Sequence, residues 1–373
     1  MKIICDRDKL REGLAIAAHV IPKSSTKPAV QNVCLVATDN ALEIVGTDLE
    51  VSIRYRLEGV EVIEPGPALI PARVATDFVR DLSEETVTIE TIGNKCFITS
   101  GTDKCELVTV DPDEFPVIAR FTGRGTVSMQ GGTFSKLVSQ TAFAAAREPG
   151  RYAMHGVLTE IENDTLRMIA TDGRRLALAT TPAECLETPA PVIIPTKGLQ
   201  LFCRAITDPL DQIALSIEEN QVGLRTKNAE IFARVIDGEF PRYSAVIPDE
   251  TTNRMEADPV LLSKKLRLVA NVTGDEARAV RLKLENNKLE IFGRSAGRGE
   301  ATAHMDVEFN GSEADIAFNP DFVLDGLKNC EAERVFLEFN ERTSPGKFLL
   351  GENHIYIVMP ITVDAQYPTP QTT

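Results

Sequence analysis

The chain has no tryptophan, only 5 tyrosines and 4 histidines, and none of its 7 cysteines forms a Cys-x-x-Cys pair. The histidines, at 19, 155, 304 and 354, show no His-Glu-x-x-His spacing and have no neighbouring cysteine pair, so no metal site is expected. An odd number of unpatterned cysteines argues against a disulfide framework and fits reduced thiols in a cytoplasmic protein. No apolar run approaches the roughly 20 residues that span a bilayer. Met1-Lys2-Ile3-Ile4-Cys5-Asp6 reaches charge too early for a signal peptide. Pro345-Gly346-Lys347-Phe348 lacks both the upstream glycine and the following hydroxyl of a phosphate loop, and there is no Gly-x-Ser-x-Gly elbow. Neither an enzyme nor a cofactor is expected.

The 373 residues, 43% hydrophobic and 25% charged, are those of a soluble globular protein of two or three domains. Forty basic against 55 acidic residues give a net charge of −15, which on average repels nucleic acid and anionic membranes. Contact with DNA would therefore need a local basic face.

Comparison of the chain with itself is the most informative step. Gly46-Thr47-Asp48-Leu49 recurs as Ala170-Thr171-Asp172-Gly173, 124 residues on. Each follows a period-two hairpin pattern, turning at Asp39-Asn40 and Asn163-Asp164, and a third such hairpin turns at Asn286-Asn287. Ile70-Pro71, Ile194-Pro195 and Asn319-Pro320 keep the same step, each leading into a helical pattern with Pro expected in its first turn. Further helices are expected over about Arg7–Val20, Thr133–Ala146 and Pro259–Val272. The repeat predicts an α+β protein of three tandem domains, 1–123, 124–249 and 250–363, followed by a flexible tail, 364–373, rich in Pro and Thr. Asp48 and Asp172, repeated in register past a hairpin strand, read as turn-capping residues and not as a catalytic pair.

Gly46-Thr47-Asp48-Leu49-Glu50, Ile70-Pro71-Ala72-Arg73, Ala170-Thr171-Asp172-Gly173-Arg174-Arg175-Leu176-Ala177, Asp237-Gly238-Glu239-Phe240-Pro241-Arg242-Tyr243 and Val358-Met359-Pro360 occur in that order. Together they resemble the bacterial sliding clamps, the beta subunits of DNA polymerase III, over residues 1 to about 363. The resemblance implies a head-to-tail homodimer whose six similar domains close into a ring around duplex DNA, helices lining the hole and antiparallel sheets outside. Six spheres about 35 Å across leave a hole of similar width, enough for a duplex of roughly 20 Å. It further implies a non-catalytic processivity factor, nucleoid-associated during replication. Its partners would be double-stranded DNA, the polymerase III alpha subunit, the clamp loader, other polymerases and repair proteins.

Residue by residue, the resemblance assigns a pocket for short peptides such as Gln-Leu-x-Leu-Phe to Met154, Thr171, Gly173, Arg174, Arg175, Leu176, Pro241, Val246, Ile357, Val358, Met359 and Pro360. DNA would face Lys23, Lys27, Arg73, Arg80, Lys136, Arg147, Arg151, Tyr152, Lys197, Arg204, Lys264 and Lys265. The dimer joint would pair the edge strand around Lys104, Cys105, Glu106 and Leu107 with Asn271, Val272 and Glu300, Lys104 lying opposite Glu300. The sequence departs from the family at Arg174, where His is common, at Ala245, near which a pocket Arg is missing, and at Thr362, which stands for a terminal Arg. The tail is expected near or partly over the pocket. Two other readings are an enzyme built on the repeats, which lacks a catalytic constellation, and a clamp-like paralogue that binds peptides without loading on DNA.

Overall fold

The computed structural model describes residues 1–148, 152–274, 278–295 and 297–362. The tail expected at 364–373 and Arg151 lie outside them, as does the side chain of Tyr152. Every hairpin anticipated from the repeat is present. Strands Asn32–Thr38 and Ala41–Thr47 join at Asp39-Asn40, Gly156–Glu162 and Thr165–Thr171 at Asn163-Asp164, and Val280–Glu285 and Lys288–Ser295 at Asn286-Asn287. These turns need positive φ, and Asp39 (50°), Asn163 (49°), Asp164 (55°), Asn286 (51°) and Asn287 (58°) provide it. Asn and Asp tolerate that region because a short polar side chain can satisfy nearby backbone.

Six α-helices stand where the repeat places them: α1 (Arg7–Ala18), α2 (Ala72–Asp81), α3 (Gly131–Thr141), α4 (Thr196–Ala205), α5 (Pro259–Ala270) and α6 (Pro320–Lys328). Capping carboxylates and amides start three of them. Asp6 accepts from the Lys9 amide, Asp258 from those of Val260 and Leu261, and Asn319 from that of Asp321. Pro259 and Pro320 occupy the first turn, but Pro71 and Pro195 are instead the N-cap residues that end the preceding strand. Helix α3 ends earlier than its sequence pattern, because the Thr141 hydroxyl donates back to the Leu137 carbonyl at 2.9 Å and a 3-10 turn, Ala142–Ala144, follows. Each helix buries a stripe at helical spacing, such as Leu10, Leu14 and Ala17 on α1 or Leu262, Leu266 and Val269 on α5.

The chain forms two compact units, residues 1–135 with 183–236, and 136–182 with 237–373. The middle repeat contributes to both, so compactness does not follow the sequence boundaries near 123 and 249. In the first unit a five-stranded antiparallel sheet runs Glu61–Glu64, Lys2–Asp6, Thr86–Ile92, Lys95–Ser100, Asp103–Val108. A nine-stranded sheet in the same unit runs from Glu184–Cys185 through Ala229–Arg234, Val51–Glu58, Ala41–Thr47 and Asn32–Thr38 to Gly66–Pro71. The second unit has a sheet in which Thr165–Thr171, Arg175–Pro182, His354–Val358 and Gly346–Gly351 are neighbours, and a four-stranded sheet in the order Gly299–Asp306, Lys288–Ser295, Val280–Glu285, Ala314–Phe318.

One pairing occurs twice. The strand after each Thr-Asp turn joins the last strand of the following repeat: Val51–Glu58 pairs with Ala229–Arg234, and Arg175–Pro182 with His354–Val358. The equivalent strand of the third repeat is Gly299–Asp306, and the last strand of the first is Asp103–Val108. Each is the outer strand of its sheet.

Candidate binding site

The Thr-Asp turns are built alike. Thr47 Oγ1 donates to the Val51 carbonyl at 2.8 Å, and Asp48 Oδ1 accepts from the amides of Glu50 and Val51 at 3.0 and 2.7 Å. One repeat later Thr171 Oγ1 donates to the Arg175 carbonyl at 2.7 Å, and Asp172 Oδ1 accepts from the amides of Arg174 and Arg175 at 2.9 and 3.0 Å. Both carboxylates are turn caps, as their sequence register suggests. The third turn position needs positive φ, which Gly173 takes at 86° without a side chain to clash. Leu49 takes 79° at the same place.

The second oxygens of the two caps diverge. Asp48 Oδ2 receives Lys197 Nζ from α4. Asp172 Oδ2 receives Arg175 Nε at 3.0 Å, while Nη1 of the same guanidinium donates to Asp325 at 2.6 Å and Nη2 to the Phe143 carbonyl at 3.1 Å. Arg175 also lies over the Phe322 ring, 4.7 Å from its centroid. Its side chain is 7% exposed, so this arginine is a pinned wall element.

Against that wall lies an apolar depression of about 100 Å³. Nine of the twelve expected pocket residues line it: Met154, Thr171, Gly173, Arg175, Leu176, Pro241, Val246, Ile357 and Met359. Arg174 lines a neighbouring groove instead, and Val358 is fully buried, paired with Arg175 across the sheet. Pro360 follows Met359 but is not in the lining. Arg242 and Tyr243 line the depression and were not anticipated, although they complete the Pro241-Arg242-Tyr243 string. The Tyr243 hydroxyl donates to Glu160 at 2.8 Å. Burial, with Glu160 next, pushes its phenol above the ordinary range. Met359 is 36% exposed, an apolar side chain offered to solvent at the rim.

The cations expected to face DNA are surface groups, but several are already paired. Arg80 is held by Asp77 at 2.7 Å and Asp81 at 2.9 Å, Arg73 approaches Asp77 at 3.9 Å, Lys197 meets Asp48, and Lys136 meets Glu331. Lys23, Lys27, Arg147, Arg204 and Lys264 are exposed and Lys265 is half-buried, with no ion-pair partner among the described residues. At the expected joint, Lys104, Glu106 and Glu300 are exposed and Asn271 is the C-cap of α5, followed by half-buried Val272. Leu107 turns into the core at 5% exposure and Cys105 shares its face, so Lys104, Glu106 and Val108 form the outward set of that strand. Among the described residues no cluster of His, Cys, Asp or Glu could hold a metal ion, and no helix is long and apolar enough to cross a membrane.

Three family profiles match in tandem: the N-terminal domain of the DNA polymerase III beta subunit over residues 1–119, its central domain over 128–242 and its C-terminal domain over 244–361. The chain belongs to the DNA polymerase III beta subunit family. Among curated relatives, the beta sliding clamp of Escherichia coli K12 is 28% identical over 97% of this chain and all of the relative. The solved sliding clamp of Pseudomonas aeruginosa bound to griselimycin superposes with a TM-score of 0.93 at 28% identity, covering 97% of this chain and 100% of that one. The Thermotoga maritima beta subunit gives 0.90 at 28% identity, covering 97% and 99%. The threefold α+β architecture read from the repeat is that of this family.

Proposed function

We propose that this chain is a DNA sliding clamp: two copies close head to tail into a ring around duplex DNA, and peptide motifs of polymerases and other replication proteins dock beside Leu176 and Met359. Family membership over nearly the whole chain supports the clamp reading. The twice-repeated strand pairing supports the ring. In both intrachain joints the strand after the Thr-Asp turn meets the last strand of the next repeat, and the two strands left over, Gly299–Asp306 and Asp103–Val108, are outer strands. A second copy supplies each with the partner its equivalents already have, which extends both sheets and covers two hazardous edges. The two edges differ, so the contact is heterologous, and on this reading its rotation closes after two copies and not in an open filament. Carrying the intrachain registers across sets Lys104 opposite Thr302, with Glu300 one diagonal step away.

The domains run 1–123, 124–249 and 250–363 on this reading. DNA is held by topology and by weak phosphate contacts from exposed cations such as Lys23, Lys27, Arg204 and Lys264, without sequence readout. The alpha subunit of the polymerase, the clamp loader and repair proteins share this apolar pocket in turn, in the cytoplasm at the nucleoid. The test is retention on a nicked circular plasmid with a cognate loader and ATP, before and after linearisation. Retention on circles with loss from linear ends is expected. Equal retention on both would replace the ring by ordinary DNA binding, and none on either would make the chain a peptide-binding paralogue.

A further inference from the structure

The apolar pocket shares Gly173 and Arg175 with a larger groove of about 350 Å³, whose other walls are Ala145, Ala146, Arg147, Glu148, Asp172, Arg174 and Phe322. We propose that this groove takes an acidic side chain of the docked peptide, with Arg147 and Arg174 as its counter-ions. The inference rests on the peptide-pocket reading and adds a selectivity to it.

The charges of the groove divide into spent and available. Asp172 is used up by two backbone amides and Arg175, and Arg175 by Asp172, Asp325 and the Phe143 carbonyl. Arg147 and Arg174 remain exposed, without an ion-pair partner among the described residues, and Glu148 is the opposing charge. Ala145, Ala146 and Phe322 give the groove an apolar floor, which strengthens a charge pair by excluding water from one side. The Arg174 carbonyl accepts from the Met359 amide at 2.8 Å, so the backbone that carries this cation is anchored one hydrogen bond from the rim of the apolar pocket. A peptide whose apolar residues fill that pocket has only the Gly173 turn to cross. A single carboxylate suits this balance better than a polyanionic strand, which would bring further phosphates against Glu148 and a chain of net charge −15.

Fluorescence anisotropy with labelled peptides tests this. The probes share a Gln-Leu-Ser-Leu-Phe core flanked, at one end or the other, by Glu-Glu, Gln-Gln or Lys-Lys. At low salt the better-placed Glu-flanked probe should bind about threefold to tenfold more tightly than its Gln-flanked counterpart, the range of one or two exposed ion pairs. The gap should close as salt is raised. Arg147→Glu with Arg174→Glu should reverse the order in favour of the Lys-flanked probe, and the ratio of affinities is read whatever happens to the neutral one. Equal binding of all three flanks, or an order unchanged in the reversed variant, overturns the proposal. So does a single-stranded oligonucleotide that weakens only the Glu-flanked probe, since the cations would then serve DNA. Failure of every probe to bind the unmodified chain overturns the pocket reading itself.

Discussion

Arg175 holds Asp172 and Asp325 at once, Nε lying 3.0 Å from the first and Nη1 2.6 Å from the second. Through it, the Thr-Asp turn that forms one side of the apolar pocket is tied to α6. Arg175→Ala removes one donor from the half-buried Asp172 carboxylate and one from the Phe143 carbonyl. Because Asp325 is half exposed, the expected loss is about 2 kcal/mol and not the larger cost of a fully buried pair. Affinity for a Gln-Leu-Ser-Leu-Phe peptide should fall at least about tenfold with it. Denaturant unfolding and anisotropy measure the two, and a variant unchanged in both would show that the clamp neither supports the turn nor shapes the pocket. Arg175→Lys should rescue little, since an ammonium cannot reproduce the forked contacts.

Met359 stands at the pocket rim and contributes little to the core. Met359→Glu should therefore leave the unfolding free energy within about 0.5 kcal/mol of the parent, as surface substitutions do. The same change should abolish peptide binding by placing a carboxylate beside an apolar anchor. Titration of the core peptide into this variant decides it: retained affinity would move the docking site elsewhere.

The joint proposed between copies is best probed on the outward side of Asp103–Val108. Leu107 is unsuitable, because its side chain fills the core of the five-stranded sheet. Counted from the Ser100–Asp103 pair that closes the hairpin, alternate residues aim their backbone groups away from the neighbouring strand, and Glu106 is one of them. Proline is tolerated at such an outer position while removing a donor from the free edge. Glu106→Pro should give a folded monomer by sedimentation velocity at micromolar concentration. A dimer of undiminished stability would place the joint on other strands.

His354 sets an acid limit. It is 1% exposed at the start of His354–Val358, and burial pushes its imidazole down from 6.5 to about 4, although the Gln140 backbone and Glu331 work in the other direction. Between those values the unfolded chain binds the proton and the folded one does not. Stability is thus complete above the ordinary value and declines as pH falls toward 4, by up to about 3 kcal/mol. Relative to His354→Leu, the parent should lose unfolding free energy as pH is lowered from 7.5 to about 4.5. Parallel curves would remove His354 as the source.

Much of this was legible in the sequence because the repeat states its local signals two or three times over. The three Asn/Asp turns, six helices and two capped Thr-Asp turns are short-range features set by propensity and capping. The pocket was legible only through family resemblance: taken alone, Leu176 and Met359 look like core positions. The neutralisation of Arg80 by Asp77 and Asp81 is a helix-spacing effect, open to anticipation from i, i+3 charges. The Lys197–Asp48 and Lys136–Glu331 pairs join residues far apart in sequence, and no local pattern announces them. The inward turn of Leu107 follows from strand parity, which a strand of unknown register does not reveal.

A chain that builds the same joint twice risks joining the wrong halves during folding, strand Val51–Glu58 taking His354–Val358 in place of Ala229–Arg234. The cross-strand residues oppose that exchange. In the first joint Arg54 sits opposite Glu230, and at the equivalent position of the second Leu178 sits opposite Ile355. Swapped halves would set Leu178 against Glu230 and Ile355 against Arg54; Glu43 holds that arginine at 2.6 Å within its own hairpin, so the mismatch falls on the Glu230 carboxylate. The repeats share a backbone plan but differ in polarity where the two strands face each other, polar in the first joint and apolar in the second, and that difference favours the proper mate while the polypeptide is still assembling.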